Sequence, residues 1–348
     1  NVPAALAIPV QTITAFRAAR SPGDAHAYYS EGDYWWPDPA NPAGPYIRRD
    51  GFSNPNRFDD HRQALIRLSL AVPALVAAYA VTGEQRLRDA AMAHLTAWFV
   101  DPATRMAPHL EHAQAIIGVN TGRGIGIIDT LHLAEVALAV DALRRRDGDD
   151  DALRAIAGWF DSYLHWLRTS ANGIDEADEI NNHGTCYVLQ CAAFARLTGR
   201  RAVADWARTQ LTDVLIPTQI APDGSQPLEL ARTKPFGYCL FNLDVMAGAI
   251  HLLGDGSPQL WHARGPASGS PADALSYMAP FIADKSRWPH ARDVEYWENW
   301  PVRHPSLLIG GMALGRTEYI ALWSGLDPHP TLPEIIRNYP LRQPLLWV

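Results

Sequence analysis

Two short segments hold the residues with the most chemical potential in this chain. Asn181-Asn182-His183 supplies amides and an imidazole. Further along, the run Leu228-Glu229-Leu230-Ala231-Arg232-Thr233-Lys234-Pro235-Phe236-Gly237-Tyr238 supplies a guanidinium and a phenol. An amide and a guanidinium can hold and neutralise a carboxylate, and a phenol can move protons at the neighbouring carbons. As a set they suit β-elimination beside a uronate carboxylate. The C5 proton of a uronate becomes acidic only when its carboxylate is neutralised and the developing enolate is stabilised, which is an electrostatic task.

Each group also has a plainer reading. Asn181-Asn182-His183 stands before an apolar helix pattern of Tyr187, Val188, Cys191 and Phe194. Asparagine is a favoured N-cap, so capping explains one asparagine but not two followed by histidine. A helix N-terminus also presents free N–H groups and positive potential, a natural seat for a carboxylate. Taken singly, Arg232 reads as a surface charge and Tyr238 as a half-buried residue opening the apolar helix of Phe241, Val245 and Ile250.

Gly118-Val119-Asn120-Thr121-Gly122-Arg123-Gly124-Ile125-Gly126 lacks the preceding strand and spacing of a nucleotide-binding loop. It can be an interhelix turn, or it can bring backbone and Arg123 close to a ligand. Asn120, Arg123, His109 and Gln114 are weaker candidates for substrate contacts. The aromatic N-terminal stretch with Trp35, Trp36, Arg48, Arg49, Asn54 and His61 can cover a cleft and stack on sugar, or pack as an ordered arm. Asp175, Glu176, Asp178, Glu179 and Glu229 keep a carboxylate pair for glycoside hydrolysis in play.

The elements that must position these groups are helical. Residues 1–60 are rich in proline, glycine and aromatics, and Tyr34-Trp35-Trp36-Pro37-Asp38-Pro39 cannot be a regular helix. From Asp59, Ala64, Leu65, Leu68, Ala71, Leu75 and Ala78 recur at three- and four-residue spacing, with Pro73 inside the pattern. A weak repeat follows, in which Thr82-Gly83 and Thr198-Gly199 each end one helix and introduce another, with looser copies at Asp147-Gly148 and Gly254-Asp255-Gly256. Strand signals are sparse, the segment from Ser286 is irregular and aromatic, and a last apolar helix is expected from Leu307 to Trp323. Repeated helical hairpins of low mutual identity predict an all-α fold: one (α/α) toroid or incomplete barrel over residues 1–348, with long terminal loops and residues 1–60 as an arm or lid.

Composition narrows the partners. A net charge of −7 with no basic run argues against nucleic acid. Lys234 and Lys285 are the sole lysines, so an anion clamp must be built from arginine. Twelve tryptophans mildly favour a carbohydrate ligand, since indole stacks on sugar as well as filling cores. Cys186, Cys191 and Cys239 show neither zinc spacing nor disulfide geometry and read as buried thiols. No apolar run of membrane-spanning length is expected, nor a metal, cofactor or membrane partner. A first residue other than methionine fits a mature secreted or periplasmic protein, expected to be monomeric.

Asn-Asn-His opening a helix, followed by Arg and then Tyr, resembles the alginate-lyase-type polysaccharide lyases with (α/α) toroid folds. Asn120-Thr121-Gly122-Arg123-Gly124, Glu229-Leu230-Ala231-Arg232-Thr233-Lys234-Pro235, Trp300-Pro301-Val302-Arg303 and Ile336-Arg337-Asn338-Tyr339-Pro340 are most similar to polysaccharide lyase family 38, whose members degrade glucuronan and in some cases alginate. Family 5 alginate lyases share the Asn-Asn-His run but differ before the tyrosine. The resemblance, over residues 30–348, implies Tyr238 as catalytic acid and base, with Asn182, His183 and Arg232 around the substrate carboxylate. It implies that Glu229 or Glu176 orients the Arg or His. Asn181, Arg123, Asn120, Gln114, Trp35, Trp36 and Arg48 remain, from their own chemistry and place, the candidates to contact an acidic polysaccharide. Two rival readings stand: an inverting hydrolase on the same toroid using Asp178 and Glu229, and a non-catalytic polyuronate-binding protein.

Overall fold

The computed structural model describes residues 2–347. With 59% of residues helical and four named strands of only two to four residues among those described, the chain is all-α. It divides into two compact units. The first holds the chain up to Ala177, the segment Ala193–Arg200 and the end from Leu345; the second holds Asp178–Ala192 and Arg201–Pro344.

The first unit is organised on the helix Asp60–Thr82, which packs against Gln85–Phe99 and Leu133–Asp147. The repeat read from sequence is visible here. Gly83 takes the left-handed conformation (φ 71°) and its N–H closes on the Tyr79 carbonyl, so the next helix starts at Gln85. Gly148 ends Leu133–Asp147 with its N–H on the Arg144 carbonyl but in an extended positive-φ conformation (φ 88°), and Asp150 caps Asp151–Thr169 through the N–H of Leu153 at 2.8 Å. Phe99, Trp159, Phe160 and Phe194 build the aromatic part of the core, with ring centroids 4.6–5.2 Å apart.

The N-terminal arm is irregular, as its prolines require, but it is not loose. Tyr29–Glu31 pairs in parallel with His112–Ala115, and Trp35–Trp36 pairs antiparallel with Ile47–Arg48. A buried polar network fastens the arm to the helices. Arg62 forms a two-point ion pair with Asp33 (2.6 and 2.9 Å) and reaches Asp129 at 3.2 Å. Asp129 also accepts from Tyr28, Ser30 and the side chain of Gln114. A buried charge pair is tolerated only when its remaining atoms are satisfied, and here nearly every lone pair of Asp129 has a donor.

The second unit is built around Pro235–Leu253, against which pack Pro227–Leu230, Pro271–Ala283 and Pro305–Ala313. Pro235 occupies the first turn, where its missing N–H costs nothing. Tyr238 therefore lies within the first turns of the helix and does not open it. Cys186, Cys191 and Cys239 are all buried, and none of them is in a disulfide.

Three sequence expectations are corrected. The apolar stretch from Leu307 to Trp323 is two helices, Pro305–Ala313 and Thr317–Gly325, because Gly315 adopts φ 66° and breaks it. After Gly254 the chain makes a short 3-10 turn, Pro258–His262, and resumes an α-helix at Pro271–Ala283, since prolines and glycines at 258, 265, 266 and 269 interrupt the hairpin pattern. Asp60–Thr82 and Pro235–Leu253 are, by length and composition, apolar enough to cross a membrane, contrary to the sequence reading. Most of each is buried within the protein, which accounts for their apolarity.

The buried network yields a stability prediction. Asp129→Ala strands the Arg62 charge and several donors at once, so it should cost about 3–5 kcal/mol in denaturant unfolding. A loss below about 1 kcal/mol would show that the network is not what fastens the arm.

Candidate active site

All residues of the Asn-Asn-His and Arg-to-Tyr segments lie in the second unit. The helix Asn182–Thr198 starts immediately after Asn181. Asn181 is its cap: its side-chain oxygen accepts the backbone N–H of His183 at 2.8 Å, and its amide donates to Glu179 at 2.9 Å. Gly184 follows because any Cβ there would collide with the Glu179 carbonyl.

Asn182 has a different task. Its backbone N–H and its side-chain amide both donate to the carboxylate of Glu229, at 2.9 and 2.7 Å. Both residues are almost wholly buried. Glu229 sits in the short helix Pro227–Leu230, and the Arg232 N–H closes on the Glu229 carbonyl at 3.1 Å. Burial pushes the Glu229 carboxyl above its usual range, opposed by the two Asn182 donors and by the nearby Arg232 and His183. Between the two acids left open by the sequence, the geometry thus places Glu229 on Asn182 and in the field of Arg232 and His183. Glu176 is fully buried in the first unit, where its charge is felt by Arg123.

Arg232 and Tyr238 meet directly. The guanidinium Nη2 donates to the phenol oxygen at 3.0 Å, and its Cζ lies 4.2 Å from the ring centroid. Both side chains are only partly buried, as is His183. A cation held against a phenol favours the phenolate, and a phenol that ionises at modest cost can act as a proton carrier.

Supporting residues escaped the sequence reading. Gln219 accepts from Thr185 (3.1 Å) and Asn242 (2.8 Å) and donates to the Asn181 carbonyl (2.9 Å). Asn242 also donates to Gln226 (2.8 Å), whose amide reaches the Cys239 carbonyl at 3.0 Å. This buried chain of amides ties the start of the Asn182 helix to the turn carrying Tyr238. Asn242 inside an apolar helix is the visible signal for it. Asp293 accepts the free N–H groups of Phe236 (2.8 Å) and Gly237 (2.9 Å), anchoring the first turn before Tyr238. A Cβ at position 237 would stand 2.8 Å from that carboxylate, which explains the glycine. Lys234 bridges Glu295 (3.4 Å) and Glu334 (3.5 Å), securing the same turn.

The remaining candidates lie in the first unit. Arg123, Gln114 and Trp35 come together: Arg123 donates to the Gln114 carbonyl (2.9 Å) and side-chain oxygen (3.2 Å), and sits 5.8 Å from the Trp35 ring. Trp36 donates to the Phe52 carbonyl and receives Arg49 on its face, and Arg48 pairs with Asp50 at 2.6 Å. Asn120 closes its own turn by accepting the N–H of Ile116. The glycine-rich loop has a packing explanation, since a Cβ at Gly122 or Gly124 would run into Glu111 or Asp175. The hydrolase pair has little support in the geometry. Glu229 commits both oxygens to Asn182, and Asp178 is exposed.

A capped Asn-His pair and an Arg-bound tyrosine thus sit at two helix starts of an all-α scaffold, and known proteins carry the reading further. The family model for alginate lyase matches residues 12–288, so the chain belongs to the alginate lyase family and is a polysaccharide lyase. An alginate lyase from Bacteroides ovatus of known crystal structure is 30% identical, with a TM-score of 0.85 over 99% of this chain and 90% of that one. Alginate lyase A1-III from Sphingomonas species A1 shares the fold at 13% identity, with a TM-score of 0.58 over 99% and 89% of the two chains. A variant of A1-III complexed with tetrasaccharide aligns at 13% identity and a TM-score of 0.60, over 99% and 88%. No curated protein matches the chain. The fold class is that of these lyases, the (α/α) toroid.

The Glu229 carboxylate generates a prediction with a defined sign. Folding favours its protonated form, so the associated stability is complete below the ordinary value of 4.5 and is lost as pH rises through the higher folded value. Glu229→Gln removes that dependence. The wild-type lead in melting temperature over this variant should narrow from about pH 4 to about pH 8. A lead that stays constant would show that Glu229 is not held above its usual range.

Proposed function

We propose that the protein cleaves β-1,4-linked polyuronate by β-elimination, leaving a 4,5-unsaturated uronate at the new end. Glucuronan is the first substrate and mannuronate-rich alginate the second. The observation that carries this reading is the Arg232–Tyr238 contact at 3.0 Å, with Asn182 held in place by Glu229 in the same unit. The substrate order rests on the family-38 likeness of the Thr233-Lys234-Pro235 segment. A polymer of this size is met outside the cytoplasm, so we place the protein in the periplasm or in the secreted fraction.

The steps follow from the residues. The substrate carboxylate is neutralised by Asn182, Arg232 and His183, which lowers the cost of removing H5. Glu229 takes one amide hydrogen of Asn182 and leaves the other directed elsewhere, fixing the orientation of the amide. Tyr238, ionised beside Arg232, takes H5; the same phenol returns a proton to O4 as the glycosidic bond breaks. In β-1,4-linked D-glucuronate or D-mannuronate both events occur on one face of the sugar, so one group serves both. For the C5 epimer, His183 takes H5 and Tyr238 protonates O4.

Tyr238→Phe should reduce turnover by at least about a thousandfold while leaving the melting temperature and oligouronate binding near wild type. The direct assay is ultraviolet absorbance of the conjugated C4–C5 double bond during incubation with glucuronan, polymannuronate or polyguluronate. Near-normal activity of the variant would overturn the mechanism. New reducing ends without absorbance would replace the lyase with a hydrolase.

A further inference from the structure

The residues between Arg232 and Tyr238 are Thr233, Lys234, Pro235, Phe236 and Gly237. The contact between guanidinium and phenol spans this stretch, so its conformation sets how the two side chains meet. The stretch has little means of holding itself. Pro235 lacks an N–H. The N–H groups of Phe236 and Gly237 stand in the first turn of Pro235–Leu253, where no earlier helical carbonyl can receive them. A lysine just before that turn is also unfavourable, since its charge meets the positive end of the helix.

One irregular segment meets all of these demands. Asp293 accepts the Phe236 and Gly237 N–H groups on separate oxygens, at 2.8 and 2.9 Å. Val294 donates its N–H to the Thr233 carbonyl at 3.1 Å. Glu295 pairs with Lys234 at 3.4 Å, and the Tyr296 ring receives the same ammonium 5.0 Å from its centroid. Trp297 packs edge-on against Phe236, with centroids 5.3 Å apart. Each residue from 293 to 297 thus touches the stretch 233–237. Tyr296 does so from a left-handed backbone (φ 62°), which a residue other than glycine keeps only when its surroundings enforce it. The far end of the segment is pinned as well, because Lys285 donates to the carbonyls of Trp297 (2.6 Å) and Trp300 (2.9 Å).

We propose that residues 293–300 form a strap that positions the reacting pair, with Asp293 as its principal positioning residue: the strap fixes the contact between Arg232 and Tyr238 and acts through them, not on the substrate. Its kinetic consequence rests on the polyuronate reading above, whereas the contact itself needs no substrate. Positioning and simple electrostatics predict opposite signs. Removing a carboxylate from the start of the helix that carries Tyr238 makes the phenolate easier to form and lowers the pH at which the phenol titrates. Loosening Arg232 from the phenol makes the phenolate harder to form and raises that pH.

The test uses the full chain. Asp293→Asn replaces one accepting oxygen with an amide nitrogen that cannot accept, so one of the two N–H groups loses its partner. Titration of Tyr238 is followed by carbon NMR of ring-labelled tyrosine, with its resonance identified by its loss in Tyr238→Phe. The phenol of Asp293→Asn should titrate about half a pH unit or more above wild type. On whichever polyuronate the wild type cleaves, kcat should fall about tenfold or more while KM changes by less than about threefold. Trp297→Leu keeps Asp293 and alters no charge, and it should move both readouts in the same direction by a smaller amount. A phenol that titrates at or below the wild-type pH in Asp293→Asn would overturn the strap, and Trp297→Leu decides by the same criterion if the first variant does not fold. A wild type that cleaves no polyuronate would overturn the polyuronate reading, while the NMR titration still decides the strap.

Discussion

A carboxylate buried against a helix start is the constraint on which the second unit depends. Glu229 cannot be left bare in that position, because an unpaired buried charge costs several kcal/mol. It is satisfied by Asn182, which gives it a backbone N–H and a side-chain N–H together. The pairing fixes the rotamer of Asn182 and sets the level of its helix against Pro227–Leu230. Since Arg232 follows directly and its N–H returns to the Glu229 carbonyl, the same interaction sets where Arg232 leaves the chain. One buried acid thereby holds the Asn182 amide and sets the start of Arg232, and its preference for its proton is what that order costs.

The Tyr238 end is held by different means for a good reason. Hydrogen-bonded amides carry no net charge, so Gln219, Asn242 and Gln226 connect the two helix starts without shifting the potential at the phenol. Asp293 brings a charge, but it spends both oxygens on the N–H groups of Phe236 and Gly237, and burial raises it above its usual range. Arg232 is a charge in direct contact with the phenol.

How far the sequence discloses this arrangement depends on the range of each signal. Thr82-Gly83 and Asp147-Gly148 mark helix ends because a left-handed or irregular cap is a local demand that glycine alone meets cheaply. The Asn-Asn-His run is legible for the same reason, since the cap, Asn181, is decided within a few residues. The function of Asn182 is not local: its partner lies far along the chain at Glu229, and nothing in the spacing chooses Glu229 over Glu176. The anchor Asp293 is invisible for a related reason, since it comes from an irregular loop far along the chain from the helix start it holds. The break at Gly315 is hidden in the sequence because apolar residues lie on both sides of it, and hydrophobic pattern outweighs a single backbone requirement.

The charge on an arginine's partner separates structural from chemical roles more sharply than burial does. Arg62 is the most deeply buried of those discussed and is paired with Asp33 and Asp129, so its field is cancelled at short range and it serves as a fastener. Arg232 is turned toward a phenol, and a cation in that place favours the phenolate over the neutral group. Arg123 is bracketed by neutral oxygens, which aim it without quenching it. An enzyme acting on a chain of carboxylates needs all three conditions at once. It must spend some guanidinium charge on its own acids to fold and reserve some for the reacting group. Sequence composition alone, which counts arginines but not their partners, cannot make that division.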